Sequence, residues 1–169
     1  MRRVTRNAGR VGAILSLAAI ALLVLASCRD RRHRDPFHAR VVGVTDGDTI
    51  TVLDGTTPVK VRLNGIDSPE KGQPFGARAK QLTSKLAFGI DVTVRPLGRD
   101  RYGRVLGEVI LPDGRVLNRE LVAAGMAWHY ARYSKDETLA RLERQARKGR
   151  VGLWSKPRPV APWEFRAAR

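Results

Sequence analysis

Val61-Arg62-Leu63-Asn64-Gly65-Ile66-Asp67-Ser68-Pro69-Glu70 is the stretch on which the rest of the chain turns, because it sets one cation and two carboxylates within a single strand-to-turn span. Val61, Leu63 and Ile66 suit a strand with one buried face, Gly65 allows a kink, and Asp67, Ser68 and Pro69 make a turn. Arg62, Asp67 and Glu70 then crowd at the mouth of the strand. Such a cluster is costly unless the charges answer one another or hold an ion and an anionic ligand.

Outward from this stretch, the flanking segments carry matching chemistry. Upstream is Asp46-Gly47-Asp48-Thr49, and downstream is Gly98-Arg99-Asp100-Arg101-Tyr102-Gly103-Arg104. Asp48 and Asp67 are hard oxygen ligands that suit Ca²⁺, with the backbone carbonyl of Ser68 and waters filling the shell. Arg62 and Arg104 carry planar guanidinium forks that grip two phosphate oxygens and stay charged. Phosphodiester cleavage demands an oriented water and neutralised phosphoryl oxygens, and the set has a candidate for each demand.

Taken singly, these residues have plainer explanations. Asp-Gly is first a turn dipeptide, Arg62 an outward strand arginine, and Arg101 and Arg104 a solvated basic loop. Asp46 reads as a turn residue behind Asp48, while Asp100 and Tyr102 shape the arginine loop. Trp128, Trp154, Trp163 and His129 read as packing residues outside the cleft.

The remaining chain reads as a β-meander interrupted by helices. Arg40 to Val52 is β-branched around Asp46-Gly47, a second turn lies at Asp54-Gly55, and Lys60 to Leu63 continues as the next strand. Gln73 to Phe88 changes to a helical period, with Ala77, Leu82, Leu86 and Ala87 as its apolar face, opening near Pro74 and ending at Gly89. Asp91–Pro96 and Val105–Leu111 return to strand character. Asn118 is the expected N-cap of a short helix ending at Gly125, and Ser134 with Glu137 forms a capping box for another carrying Leu139, Leu142 and Ala146 on its buried face. The pattern gives a β-rich α+β domain, a barrel or a sandwich.

Aspartate-glycine-aspartate-threonine, then V-R-L-x-G-I-D-S-P-E, then D-R-Y-G-R, in this order and spacing, resembles the staphylococcal nuclease (thermonuclease) family over approximately Arg40 to Arg166. The resemblance implies an OB-fold, a five-stranded Greek-key barrel with about three helices. It implies a calcium-dependent, sugar-non-specific endonuclease that hydrolyses DNA and RNA, single-stranded or locally opened, to 3′-phosphate ends. On the matching positions, Asp48, Asp67 and the Ser68 carbonyl bind calcium, Arg62 and Arg104 contact the scissile phosphate, and Glu70 is the general base or orients the water. Ser68 stands where the best-known member has threonine. Of that member's two substrate-side tyrosines only one has a counterpart, assigned to Tyr133, with Ala131 at the other. The rival reading is a non-catalytic OB module at the cell envelope that binds nucleic acid or protein; it predicts missing charges, and Arg62, Glu70, Arg104, Asp48 and Asp67 are all present. A third, adhesion to an anionic surface, needs only charge.

The 169 residues suit one domain, expected to be a monomer. Met1 to Arg10 is basic without an acid and Val11 to Ser27 is apolar, the pattern of a signal peptide, with an uncleaved transmembrane anchor as the competing reading. Leu25-Ala26-Ser27-Cys28 resembles the lipobox of bacterial lipoproteins, which makes the lone Cys28 a lipidation site and residues 1–27 a removable leader. Residues 28–39 read as a flexible charged tether, 40–154 as the nuclease-like domain and 155–169 as a Pro-rich extended tail packing on it. Losing residues 1–27 takes four arginines from the 32 basic residues and leaves 28 against 16 acidic ones, so the positive balance belongs to the domain and favours polyanions. The expected location is the bacterial envelope, with the chain anchored to a membrane through Cys28, or secreted or periplasmic where lipidation fails.

Overall fold

A computed structural model describes residues 33–168. Cys28 and the leader lie outside the described residues. Five strands, β1 (Phe37–Val44), β2 (Thr49–Asp54), β3 (Thr57–Leu63), β5 (Asp91–Arg99) and β6 (Val105–Ile110), close into a barrel in the order β1-β2-β3-β6-β5. All neighbours are antiparallel except β3 and β6, which pair in parallel through Val61↔Val105, Arg62↔Leu106 and Leu63↔Gly107. This is the expected OB-type barrel. Strand alternation sends Ile50, Val52, Val59, Val61, Leu63, Val105 and Val109 inward, and each such side chain contributes roughly 1.5–3 kcal/mol by leaving water. A bulge between Val41 and Gly43 bends β1 around the barrel. The first strand begins at Phe37, inside the expected tether: Phe37 pairs with Val94, and the His38 ring nitrogen Nδ1 lies 3.0 Å from Thr93 Oγ1.

Helix α1 (Gly76–Ala87) follows a short strand β4 (Ile66–Asp67), and α2 (Leu117–Ala123) follows β6. The buried stripe of α1 is Gly76, Ala79, Thr83 and Ala87. Ala77 is exposed, while Leu82 and Leu86 are half-buried and pack against the core beside these fully buried small residues. Thr83 Oγ1 uses that closeness to donate to the Gly47 carbonyl at 2.6 Å. Asn118 is not an N-cap: the cap of α2 is Val116, and Asn118 sits buried inside the helix. Its Oδ1 accepts from the Val109 N–H, and its Nδ2 donates to the carbonyls of Asn64 and Gly107, stitching the end of β3 to β6.

Strand β7 (Trp128–His129) pairs with β4 through Ile66↔His129 and Asp67↔Trp128. Helix α3 (Glu137–Lys148) is capped by Asp136, whose Oδ1 accepts from Thr138 and Leu139, in place of the expected Ser134–Glu137 box. A 3₁₀ turn (Gly152–Ser155) then leads into the tail. The tail is not wholly extended: Pro162 opens a fourth helix, α4 (Pro162–Ala167), where a proline at the first helical position sacrifices no hydrogen bond. Glu164 Oε2 accepts from the Ala161 N–H at its start. The three tryptophans pack edge-to-face, Trp128 against Trp154 at 5.1 Å and against Trp163 at 6.5 Å, which docks the tail on β7 as the packing role expected of them requires.

Candidate active site

Strand pairing assembles the site at one end of the barrel. Thr49 lies opposite Arg62 in the β2–β3 register, so the turn carrying Asp46 and Asp48 sits beside the Arg62 side chain. The parallel pairing of β3 with β6 brings the Asp100–Arg104 loop to that same end. Gly65, at φ +76°, swings the chain from β3 into β4, and the short β4–β7 pairing fixes Asp67. Asp48, Arg62, Asp67, Ser68, Glu70, Arg104 and Tyr133, seven positions expected from the sequence, line one cleft of about 640 Å³.

Arg62 stands between the buried carboxylates of Asp48 and Asp67. Its Nη2 donates to Asp67 Oδ1 at 2.8 Å. Its Nη1 is ion-paired with Asp48 Oδ1 at 2.7 Å, so the guanidinium bridges the two acids. Asp48 is held from three sides: Oδ2 accepts from the Ser68 N–H at 2.6 Å, Oδ1 accepts from Thr49 Oγ1 at 3.2 Å, and its own N–H donates to Asp46 Oδ1 at 3.1 Å. Gly47 is required here because a Cβ would meet Ser68 Oγ at 2.6 Å and Ala79 Cβ at 2.7 Å.

Burial, and then the neighbouring Asp48 charge, pushes the Asp46 carboxyl up to about 6. Burial also raises Asp67, against the opposing pull of Arg166 and Arg62. Asp46 lines the same cleft and, as a turn residue, accepts the Asp48 N–H. At Asp100 burial acts upward, but hydrogen bonds from the side chain and backbone of Arg104 and from the Tyr102 N–H outweigh it and hold the carboxyl low. Asp100 Oδ2 takes Arg104 Nε at 2.6 Å, leaving the terminal nitrogens of that arginine for other partners. Tyr102 is largely exposed with Arg101 and Arg104 over its ring at 4.8 and 5.5 Å.

Glu70 is fixed by its backbone. Its N–H donates to Gln73 Oε1 and its carbonyl accepts from the Gln73 N–H, both at 2.9 Å, while Gln73 Nε2 donates to the Val160 carbonyl at 2.7 Å. The tail is therefore tied to the loop that bears Glu70. His129 is structural, its Nε2 lying 3.0 Å from the Ser134 carbonyl.

Two cleft residues escaped the sequence reading. Tyr130 lies in the cleft, stacked on Trp163 at 5.0 Å and edge-on to Tyr133 at 4.7 Å, so the cleft has two tyrosines on this side. Arg166 of α4 spans Asp67 and Glu70: Nη2 to Asp67 Oδ2 at 2.8 Å, Nη1 to Asp67 Oδ1 at 3.3 Å and Nη1 to Glu70 Oε1 at 2.5 Å. Those carboxylates, Asp67 first, hold its guanidinium charge more firmly than usual. Sequence spacing gives no signal for either contact, because 96 residues separate Glu70 from Arg166.

The cation that the resemblance implies needs hard oxygen donors. Among the described residues no group of three or more His, Cys, Asp or Glu side chains converges as a metal cluster. Asp48 and Asp67, carboxylates 5% and 1% exposed, line the cleft as two anionic oxygen donors, a chemistry that suits a hard cation keeping several waters, with Arg62 and Arg166 on those oxygens in this structure.

Comparison with known proteins agrees with this geometry. Residues 60–156 match the family described as staphylococcal nuclease homologue. An Escherichia coli protein described as an uncharacterized endonuclease is 47% identical over 129 residues, covering 76% of this chain and 84% of its own. A protein of Shigella flexneri described as micrococcal nuclease is 40% identical over 166 residues, covering 92% of this chain and 95% of its own. With a closed five-stranded barrel, a cleft lined by the expected acids and arginines and relatives of this kind, the chain belongs to the staphylococcal nuclease family and is a hydrolytic endonuclease.

Proposed function

We propose that this nuclease is calcium-dependent and sugar-non-specific, hydrolysing DNA and RNA, single-stranded or locally opened, to 3′-phosphate ends, and that it works as a monomer held at the bacterial envelope by lipid on Cys28. The observation that carries the catalytic part is the convergence of Asp48, Asp67, Glu70, Arg62 and Arg104 on one cleft. Calcium held by Asp48, Asp67 and the Ser68 carbonyl would supply positive charge against the phosphoryl oxygens. Arg62, whose guanidinium lies between the two acids, and Arg104, through its terminal nitrogens, bind the scissile phosphate and neutralise charge that grows on it. Glu70 accepts the proton of the attacking water or orients that water for in-line attack. The named groups address phosphate and not base edges, which supports low sequence specificity and affinity that falls with salt.

The purified full chain should degrade heat-denatured DNA and RNA with calcium, stop with chelator, and leave 3′-phosphate ends. Glu70→Gln and Arg104→Ala should each slow cleavage on the order of 10²-fold or more while folding normally. DNA shifted on a gel but left intact by the parent chain would overturn the reading. Membrane association unchanged in Cys28→Ala would overturn the lipid anchor.

A further inference from the structure

We propose that Arg166 is a resident counter-cation of the active site, one that a divalent cation displaces when it binds. This rests on the calcium reading above and extends it to the C-terminal tail. The guanidinium covers both oxygens of Asp67 and Oε1 of Glu70, so in this arrangement one expected cation ligand and the expected base are both engaged. Asp67 is 1% exposed, so its buried carboxylate requires positive charge close by. Arg62 supplies only one hydrogen bond to it, and Arg166 supplies the rest.

The two ends of this contact differ in how they are held. The helix that carries Arg166 is anchored: Trp163 lies parallel to Tyr130 at 5.0 Å, Ala161 is buried, and Val160 accepts from Gln73. The Arg166 side chain is 42% exposed, so it can leave the carboxylates for solvent by rotamer change without moving the helix. A cation entering beside Asp67 brings two positive charges against one, and the guanidinium is the partner free to go. In the cation-free chain Arg166 therefore steadies the buried acids and holds Glu70 out of use; with the cation bound, Glu70 is released toward the water. The tail becomes a sensor of cation occupancy and not merely packing.

Calorimetric titration of calcium into the full chain, with no substrate present, tests this. Arg166→Gln keeps the side-chain length and removes the charge. It should bind calcium about tenfold more tightly than the parent, the scale set by losing a competing charge-assisted contact at a half-exposed position. Arg166→Lys, a point charge without the fork, should fall between them, and Arg158→Gln, which removes an exposed arginine elsewhere in the tail, should change the affinity less than about twofold. Melting should report the same exchange: Arg166→Gln melts below the parent in chelator, and saturating calcium narrows the gap. Calcium affinity equal to or weaker than the parent's in Arg166→Gln overturns the counter-cation role while leaving the calcium reading intact. Absence of calcium binding in every chain overturns both.

Discussion

Gly76→Ala separates two physical effects that point in opposite directions. Ala is the better helix former by about 1 kcal/mol, and Gly76 opens α1, so propensity alone predicts a more stable protein. The packing predicts the reverse. A Cβ at this position would lie 2.1 Å from the Glu70 carbonyl oxygen, 3.0 Å from its carbon and 3.2 Å from the Pro69 oxygen. Ordinary contact begins near 3.4 Å, so helix and loop must separate by about 1.3 Å. The loop is the part that yields, since the helix is seated on the barrel through Ala79, Thr83 and Ala87.

Overpacking of this kind costs about 1–3 kcal/mol, which exceeds the propensity gain. Movement of Glu70 by about 1 Å costs on the order of 10²-fold in rate, because attack geometry tolerates little displacement. The expected outcome is a folded variant that melts several degrees lower and cleaves denatured DNA about a hundred times more slowly, with the loss in kcat and KM nearly unchanged. Circular dichroism melting and steady-state kinetics on one preparation give both numbers. A variant that melts higher and cleaves at the parent rate would refute the claim that α1 positions the glutamate loop.

Gln73→Leu removes the acceptor of the Glu70 N–H and the donor to Val160 at a site only 6% exposed, and should cost about 2–4 kcal/mol by leaving both groups unmet, read as a lower urea midpoint. Asp46→Asn tests pH linkage: with its carboxyl near 6 instead of 3.8, the folded chain holds a proton that the unfolded chain has lost between about pH 4 and 6. Stability of the chelated parent therefore falls as pH rises through that window, and the asparagine variant should be flatter across it and more stable at pH 7 by about 1–3 kcal/mol; parallel curves would refute the assignment. Asp100 has the opposite sign, its carboxyl held low by Arg104, so its contribution is present above the ordinary carboxylate range and fades in acid; in Asp100→Asn the acid-dependent part of the Arg104 contact should vanish.

What could be read without a structure was whatever local chemistry dictates. The strand–kink–turn of Val61 to Glu70 has its period, its glycine and its proline in one continuous segment, and the barrel's strands follow from alternation in the same way. Six of the seven site positions were legible because three motifs coincide, and the seventh, Tyr133, came from the resemblance alone. The caps were misplaced where tertiary demand overrode a local rule: Asn118 has the side chain of a cap, but the Asn64 and Gly107 carbonyls and the Val109 N–H claim it from inside the helix. The α1 face was legible in Leu82, Leu86 and Ala87, which lie in or against the core, and missed at Ala77, which is exposed while Gly76, Ala79 and Thr83 take the closest places because a helix passing near a barrel needs small residues there.

The tail shows the harder case. A segment with Pro157, Pro159 and Pro162 reads as extended, yet Pro162 is the one proline whose missing N–H suits a helix start, and Ala161 and Glu164 complete that start. Nothing local says that this turn of helix lies over the cleft. What places it there is a chain of long-range contacts, Gln73 to Val160, Tyr130 on Trp163 and Trp163 against Trp128, each made between residues whose partners are fixed only once the barrel has closed. The buried charge of Asp67 then selects what the helix must carry, because an acid 1% exposed beside Glu70 demands more cation than Arg62 alone provides. An arginine at position 166 is thus understood from the electrostatics of residues about a hundred positions earlier, which is why motif spacing reached the acids and stopped short of their third arginine.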